Sequence, residues 1–200
     1  MTASQKTTTT KRDEKLPAFV QLWILRLLVP LQGYQKFWSK YGFENTELAA
    51  ALGYSKYVEN EASEIDEKFI IADLKQKHKV FEKTTKPYVV SRNLEKNITR
   101  LSSILGLTDT DRRILEFSIF LQSNHLLKAV AGYHENVSST KLNRILSVVL
   151  DIPESSISNS LKIQNTLVKS GMITVFGGLT NLEEKNQSYD NIYSRSSLRT

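Results

Sequence analysis

Residues 142–182 read LNRILSVVLDIPESSISNSLKIQNTLVKSGMITVFGGLTNL, and they divide at Asp151-Ile152-Pro153 and again at Gly171. Before the first division, Leu142, Ile145, Leu146, Val149 and Leu150 recur at the three-and-four spacing of one buried helix face. Ser138 or Ser139 stands where the cap of that helix belongs. Pro153 sits at a first helical position, and Glu154 favours the new N-terminus. The pattern predicts a second helix carrying Ile157, Leu161, Leu167 and Val168. Met172 to Phe176 is β-prone, and Gly177-Gly178 signals a hairpin before Leu179 to Leu182. Helix, short turn, helix and glycine-hinged wing is the order of a winged helix-turn-helix unit.

In such a unit the second helix does the reading. Its polar side here carries Ser155, Ser156, Ser158, Asn159 and Lys162, short hydroxyl and amide groups that reach base edges, phosphates or a partner's polar surface. The same residues also suit a plain solvated face. Nearby basic residues are few: Lys141, Arg144, Lys162 and Lys169. Affinity for DNA comes mainly from phosphate neutralisation, so this set supports only weak binding. Winged helices also dock proteins.

Upstream, Leu94, Ile98, Leu101 and Leu105 form a helical stripe ending at Gly106. Thr108 and Asp111 have capping-box spacing before a helix with Ile114, Leu115, Phe117, Ile119 and Leu121. Another short helix covers 124–132. Thr84, Thr85 and Pro87 mark a hinge. Before it, a helix bears Ile65, Phe69, Ile70, Leu74 and Phe81. Glu59, Glu61, Glu64, Asp66 and Glu67 lie at its start, and Lys75, Lys77, Lys79, Lys83 and Lys86 at its end, the polarity a helix dipole prefers. Asn45 or Thr46 caps a helix over 47–52 that Gly53 closes. Tyr34, Phe37, Trp38 and Tyr41 are spaced to share one face of a short helix, suited to core packing or a partner surface.

Phe19 to Val29, FVQLWILRLLV, is apolar except for Gln21 and Arg26. It is too short to span a bilayer, which takes roughly 20 such residues. Asp13 and Glu14 precede it, unlike the flank of a secretory signal. The expectation is a buried or partner-facing helix in a cytoplasmic protein. The fold class expected is mainly α, with a helical N-terminal bundle over 16–86 and a helical, winged-helix unit over 87–184. Residues 1–15 and 185–200, polar and without periodicity, read as flexible tails.

Several stretches resemble the N-terminal region of a group of large bacterial AAA-family ATPases. They are LPAFVQLWILRLLVPLQGYQKFWSKYGF with ELAAALG, then LGLTDTDRRILEFSIFLQSNHLL, SSTKLNRILSVVLDIPESSI and LVKSGMITV, in collinear order over about residues 16–176. The resemblance implies a winged-helix-bearing region that precedes an ATPase module and selects substrates, partners or assembly state. A nucleotide-hydrolysing module needs G-x-x-x-x-G-K-[ST], whose amides and lysine cradle the phosphates. None of the 8 glycines is followed by Lys-Ser or Lys-Thr. The chain is therefore expected to be the front part of such a protein or a stand-alone relative, not the motor.

The 200 residues hold 27 Lys and Arg against 21 Asp and Glu, a net charge of +6 that mildly favours an acidic partner. With Cys 0, disulfide scaffolds, thiol nucleophiles and thiolate metal sites are excluded. Asp109, Asp111, Arg112 and Arg113 lie at a helix start, where capping explains them. His125, His134 and Glu135 match no metal-ligand spacing. The expected function is a non-catalytic recognition or assembly module without cofactor or metal. Its partner would be a protein, the ATPase module or a second copy of the chain, with no membrane. The alternative is a winged-helix DNA-binding regulator.

Overall fold

The computed structural model describes residues 16–58, 66–85, 90–134, 138–175 and 182–183. Both tails, the Glu59 to Glu64 acids, Lys86, Pro87, Glu135 and the Gly177-Gly178 signal lie outside them. Among the described residues the chain is mainly α-helical, with short antiparallel strand pairs as its only sheet.

Helix α1 (Ala18–Leu28) is apolar on nearly every side, and such a helix is stable only when covered all round. Val20, Ile24, Leu25, Leu27 and Leu28 are fully buried, so the chain's own core covers it. The neighbours that enclose it are α5 (Glu67–Thr84), α8 (His125–Gly132) and α9 (Ser139–Leu150). Trp23 meets Phe117 edge-on at 5.2 Å, tying α1 to α7 (Asp109–Ser123). A single buried cluster thus joins Leu48, Tyr54 and Ile70 with Phe117, Leu146 and Ile157, residues from both sides of position 86.

Local capping places most helix starts. Asn45 accepts the Leu48 N–H and begins α3 (Thr46–Ala51), and Gly53 follows with a φ of 91°. After α3 comes α4 (Ser55–Val58), and Asp66 caps α5. Ser91 starts α6 (Arg92–Leu105), which ends on left-handed Gly106. Thr108 and Asp111 form a reciprocal capping box on α7: the Asp111 N–H donates to Thr108 Oγ1, and the Thr108 N–H to Asp111 Oδ2. Asn124 caps α8 and Ser138 caps α9.

Two expectations change. Tyr34, Phe37, Trp38 and Tyr41 do not share a helix face. Helix α2 (Tyr34–Phe37) stops after one turn, and β1 (Trp38–Ser39) pairs antiparallel with β2 (Gly42–Phe43) in a tight hairpin. Gly42 at a φ of 102° permits the return, and Trp38 gains Phe43 as an edge-on ring partner at 4.7 Å. The helix expected from Pro153 to Val168 is also broken. It becomes α10 (Glu154–Ser160) and α11 (Thr166–Lys169), with Pro153 as the capping residue. The Asn165 side-chain amide takes the Asn159 carbonyl and holds the chain out of helical continuation. Beyond α11, β3 (Thr174–Val175) pairs antiparallel with β4 (Leu182–Glu183).

Candidate functional site

The residues singled out for recognition lie on α10 and the turn after it. Ile157 and Ser160 are buried and fasten α10 to the core. The opposite side leaves Ser155 and Asn159 exposed, with Ser156 and Ser158 half-buried beside them. Lys162 falls past the end of α10, exposed, and its Nζ donates to Asn159 Oδ1 at 2.8 Å. The structure therefore brings Ser155, Ser156, Ser158 and Asn159 onto one short helix and ties Lys162 back against its last turn. Exposed Ile163 follows, also off the helix. Lys141, Arg144 and Lys169 are exposed on α9 and α11.

What aims α10 is the turn at Asp151, and that turn is held from a distance. A helix leaves its last carbonyls without intrahelical partners, and α9 has no basic residue of its own in its last turn. Two arginines from other helices supply the donors. Arg26 Nη1 on α1 donates to the Val149 carbonyl at 2.8 Å, and Arg113 Nη2 on α7 to the Leu150 carbonyl at 2.9 Å. Ser147 Oγ donates to the Ile152 carbonyl at 2.6 Å, while the Ile152 N–H returns to the Ser147 carbonyl. Asp151 takes a left-handed φ of 55° between them. Positive charge at this helix end is also what the dipole favours.

Arg26 is completed by Glu82 on α5, which accepts from Nε at 2.7 Å and from Nη2 at 2.8 Å. Hydrogen bonds from Arg26 hold the Glu82 carboxyl below the usual carboxylate range. Burial opposes them, and the Arg26 charge and the neighbouring His78 add to the lowering. A lone arginine inside an apolar run signals in sequence that a buried partner exists, but not which one.

The other titratable groups have structural partners. Asp73 accepts from Tyr54 at 2.7 Å and pairs with Lys77. Burial pushes the Asp73 carboxyl up, but the hydrogen bonds from Lys77 and Tyr54 outweigh it and leave it low. Burial, and then the Asp73 contact, push the Tyr54 phenol well up. Tyr133 is raised to about 12 by burial, with the Glu44 charge adding to it. His134 is buried, and its Nε2 donates to the Leu27 carbonyl at 3.1 Å. Exposed His125 meets Glu47 at 3.0 Å. Asp109 stands 4.0 Å from Arg112, and Asp111 belongs to the capping box. Among the described residues no group of three or more His, Asp or Glu side chains is placed to hold a metal ion.

Of the aromatic set, Phe37 and Trp38 are core, and Tyr41 is 83% exposed at the hairpin tip under Lys40. No described helix is long and apolar enough to cross a membrane. No protein-family model, curated protein or solved structure matches this chain.

Proposed function

We propose that the chain is a non-catalytic recognition and assembly module acting in the cytoplasm. In this reading α9, the Asp151 turn, α10 and the β3–β4 pair form a winged helix-turn-helix unit. The observation that carries it is the construction of α10: a short helix anchored by Ile157, aimed by a turn clamped at Val149 and Leu150, and presenting Ser155 and Asn159 outward with Ser156 and Ser158 half-buried beside them. A rigid scaffold below an exposed polar helix is how binding surfaces keep their geometry. The collinear resemblance to the region preceding an AAA-family ATPase module supports the same reading and names the partner: that module, or neighbouring subunits assembled with it.

The test mixes the purified chain with a separately purified ATPase module of the resembled group and measures association by light scattering. Binding that weakens with Ser155→Arg or Asn159→Arg is the expected result. A monomer indifferent to the module removes the assembly reading. The exposed polar side of α10 also favours the second reading, a DNA-binding regulator. It requires sequence-selective duplex binding that Asn159→Ala and Lys162→Ala weaken.

A further inference from the structure

We propose that the outward face of α5 binds the phosphate backbone of a nucleic-acid duplex, without regard to base sequence, through Lys68, Lys75, Lys79 and Lys83. This surface lies outside α10 and does not rest on the reading above.

Helix α5 buries Ile70 and Leu74 and packs Phe81 against the core. At about 100° per residue, the four lysines fall on the opposite side of the helix, and all four are exposed. Lys75, Lys79 and Lys83 follow one another at one-turn steps of about 6 Å, and the whole row is about 22 Å long. Ala72 lies within the row and adds no bulk or charge.

Of the acids at this helix, Glu67 stands exposed in the first turn beside Lys68, and the others are engaged. Asp73 is engaged by Lys77 and Tyr54, and Asp66 caps the first turn. Glu82, close beside the row, is taken by Arg26 and by His78 at 3.1 Å. Among the described residues no ion pair reaches Lys68, Lys75, Lys79 or Lys83. The helix dipole accounts for basic residues gathering toward the C-terminal end of α5, but not for their gathering on one side of it.

A row of lysines without ion pairs among the described residues fits phosphates better than a protein. Protein interfaces are depleted in lysine and depend on aromatic or arginine anchors in pockets. The exposed apolar residues of this helix are Val80 and Phe69, and the Phe69 ring leans on Tyr57 at 5.9 Å. A bilayer would add apolar insertion to the charge attraction, but the apolar face of α5 is turned into the core. A duplex offers one negative charge per about 1.7 Å of axis, and each lysine seated on a phosphate releases a counterion.

The test measures binding of the full 200-residue chain to a mixed-sequence DNA duplex of roughly 30 base pairs between about 50 mM and about 200 mM salt. Four phosphate contacts predict a log–log salt slope of about −3 to −4 and a loss of about a hundredfold in affinity across that range. Lys75→Gln with Lys79→Gln and Lys83→Gln should bring the slope to about −1 and cut low-salt affinity at least tenfold, by about the same counterion arithmetic. The corresponding triple change to arginine should retain binding, which separates loss of charge from loss of fold. Three results would overturn the proposal. They are no duplex binding at low salt, unchanged binding by the triple glutamine variant, and tighter binding to phosphatidylserine vesicles or polyglutamate than to the duplex.

Discussion

Arg26 Nη1 lies 2.8 Å from the carbonyl oxygen of Val149, a contact between residues 123 positions apart that closes the C-terminal end of α9. Its Nε and Nη2 grip Glu82, so one side chain from the most apolar helix joins α1, α5 and α9. With Arg113 on the next carbonyl, it supplies donors to two carbonyls left over where α9 stops.

Replacing Arg26 by Met keeps much of the apolar stem but strands the Val149 carbonyl and a half-buried carboxylate. The expected loss is about 2–4 kcal/mol of unfolding free energy, read by urea denaturation. Adding Glu82→Gln should recover part of it, because the stranded charge is then gone. An Arg26→Met chain as stable as the parent would show that the clamp contributes nothing.

Asp151 occupies the left-handed region and places a negative charge at the C-terminal, negative end of the α9 dipole. Asp151→Gly should therefore raise stability by about 0.5–1 kcal/mol, whereas Asp151→Val should lower it by about 1–2 kcal/mol. Thermal unfolding of the two variants beside the parent checks the opposite signs.

Gly33 is required for space rather than for backbone freedom. A Cβ built there would sit 2.7 Å from the Leu27 carbonyl oxygen and 3.1 Å from His134 Nε2. Gly33→Ala should cost about 1–3 kcal/mol through overpacking and displace the His134 hydrogen bond. The His134 ring resonances of the variant would report that displacement directly.

Burial holds the His134 pKa below its ordinary 6.5, against the hydrogen bond to Leu27 and with the charges of Lys141 and Lys36 adding to the effect. The unfolded chain therefore takes up the proton first, and stability present above pH 6.5 is lost as pH falls toward the folded value. Unfolding free energy should decline as pH falls through and below the ordinary 6.5. His134→Gln, which keeps a donor for Leu27 without titrating, should flatten that decline. Glu82 adds a loss of the same sign, but only as pH drops below its ordinary 4.5.

Much of the secondary structure was legible because its causes are local. Thr108 with Asp111, Ser138 before α9, Asn45 before α3 and Gly106 after α6 each act within one turn of the residue that signals them. The polar residues of α10 were likewise readable from the pattern on either side of Pro153. The hairpin over 38–43 was not, because the aromatic spacing there satisfies a helix wheel equally well. Only the rings of Phe37, Tyr54 and Trp38 around Phe43 favour the strand pairing. The break after Ser160 was also hidden, since the apolar residues continue at helical spacing while Asn165 takes the Asn159 carbonyl.

By itself, then, the chain of residues determined where helices start and that α1 must be enclosed, since capping and amphipathicity are settled among neighbours. Only the tertiary structure decided that Arg26 and Arg113 serve the far end of α9, that Glu82 is spent on Arg26, and that four lysines of α5 have no ion pair among the described residues. Those outcomes depend on which surfaces meet across the core, and the energy of such a contact carries no trace in the spacing of either partner.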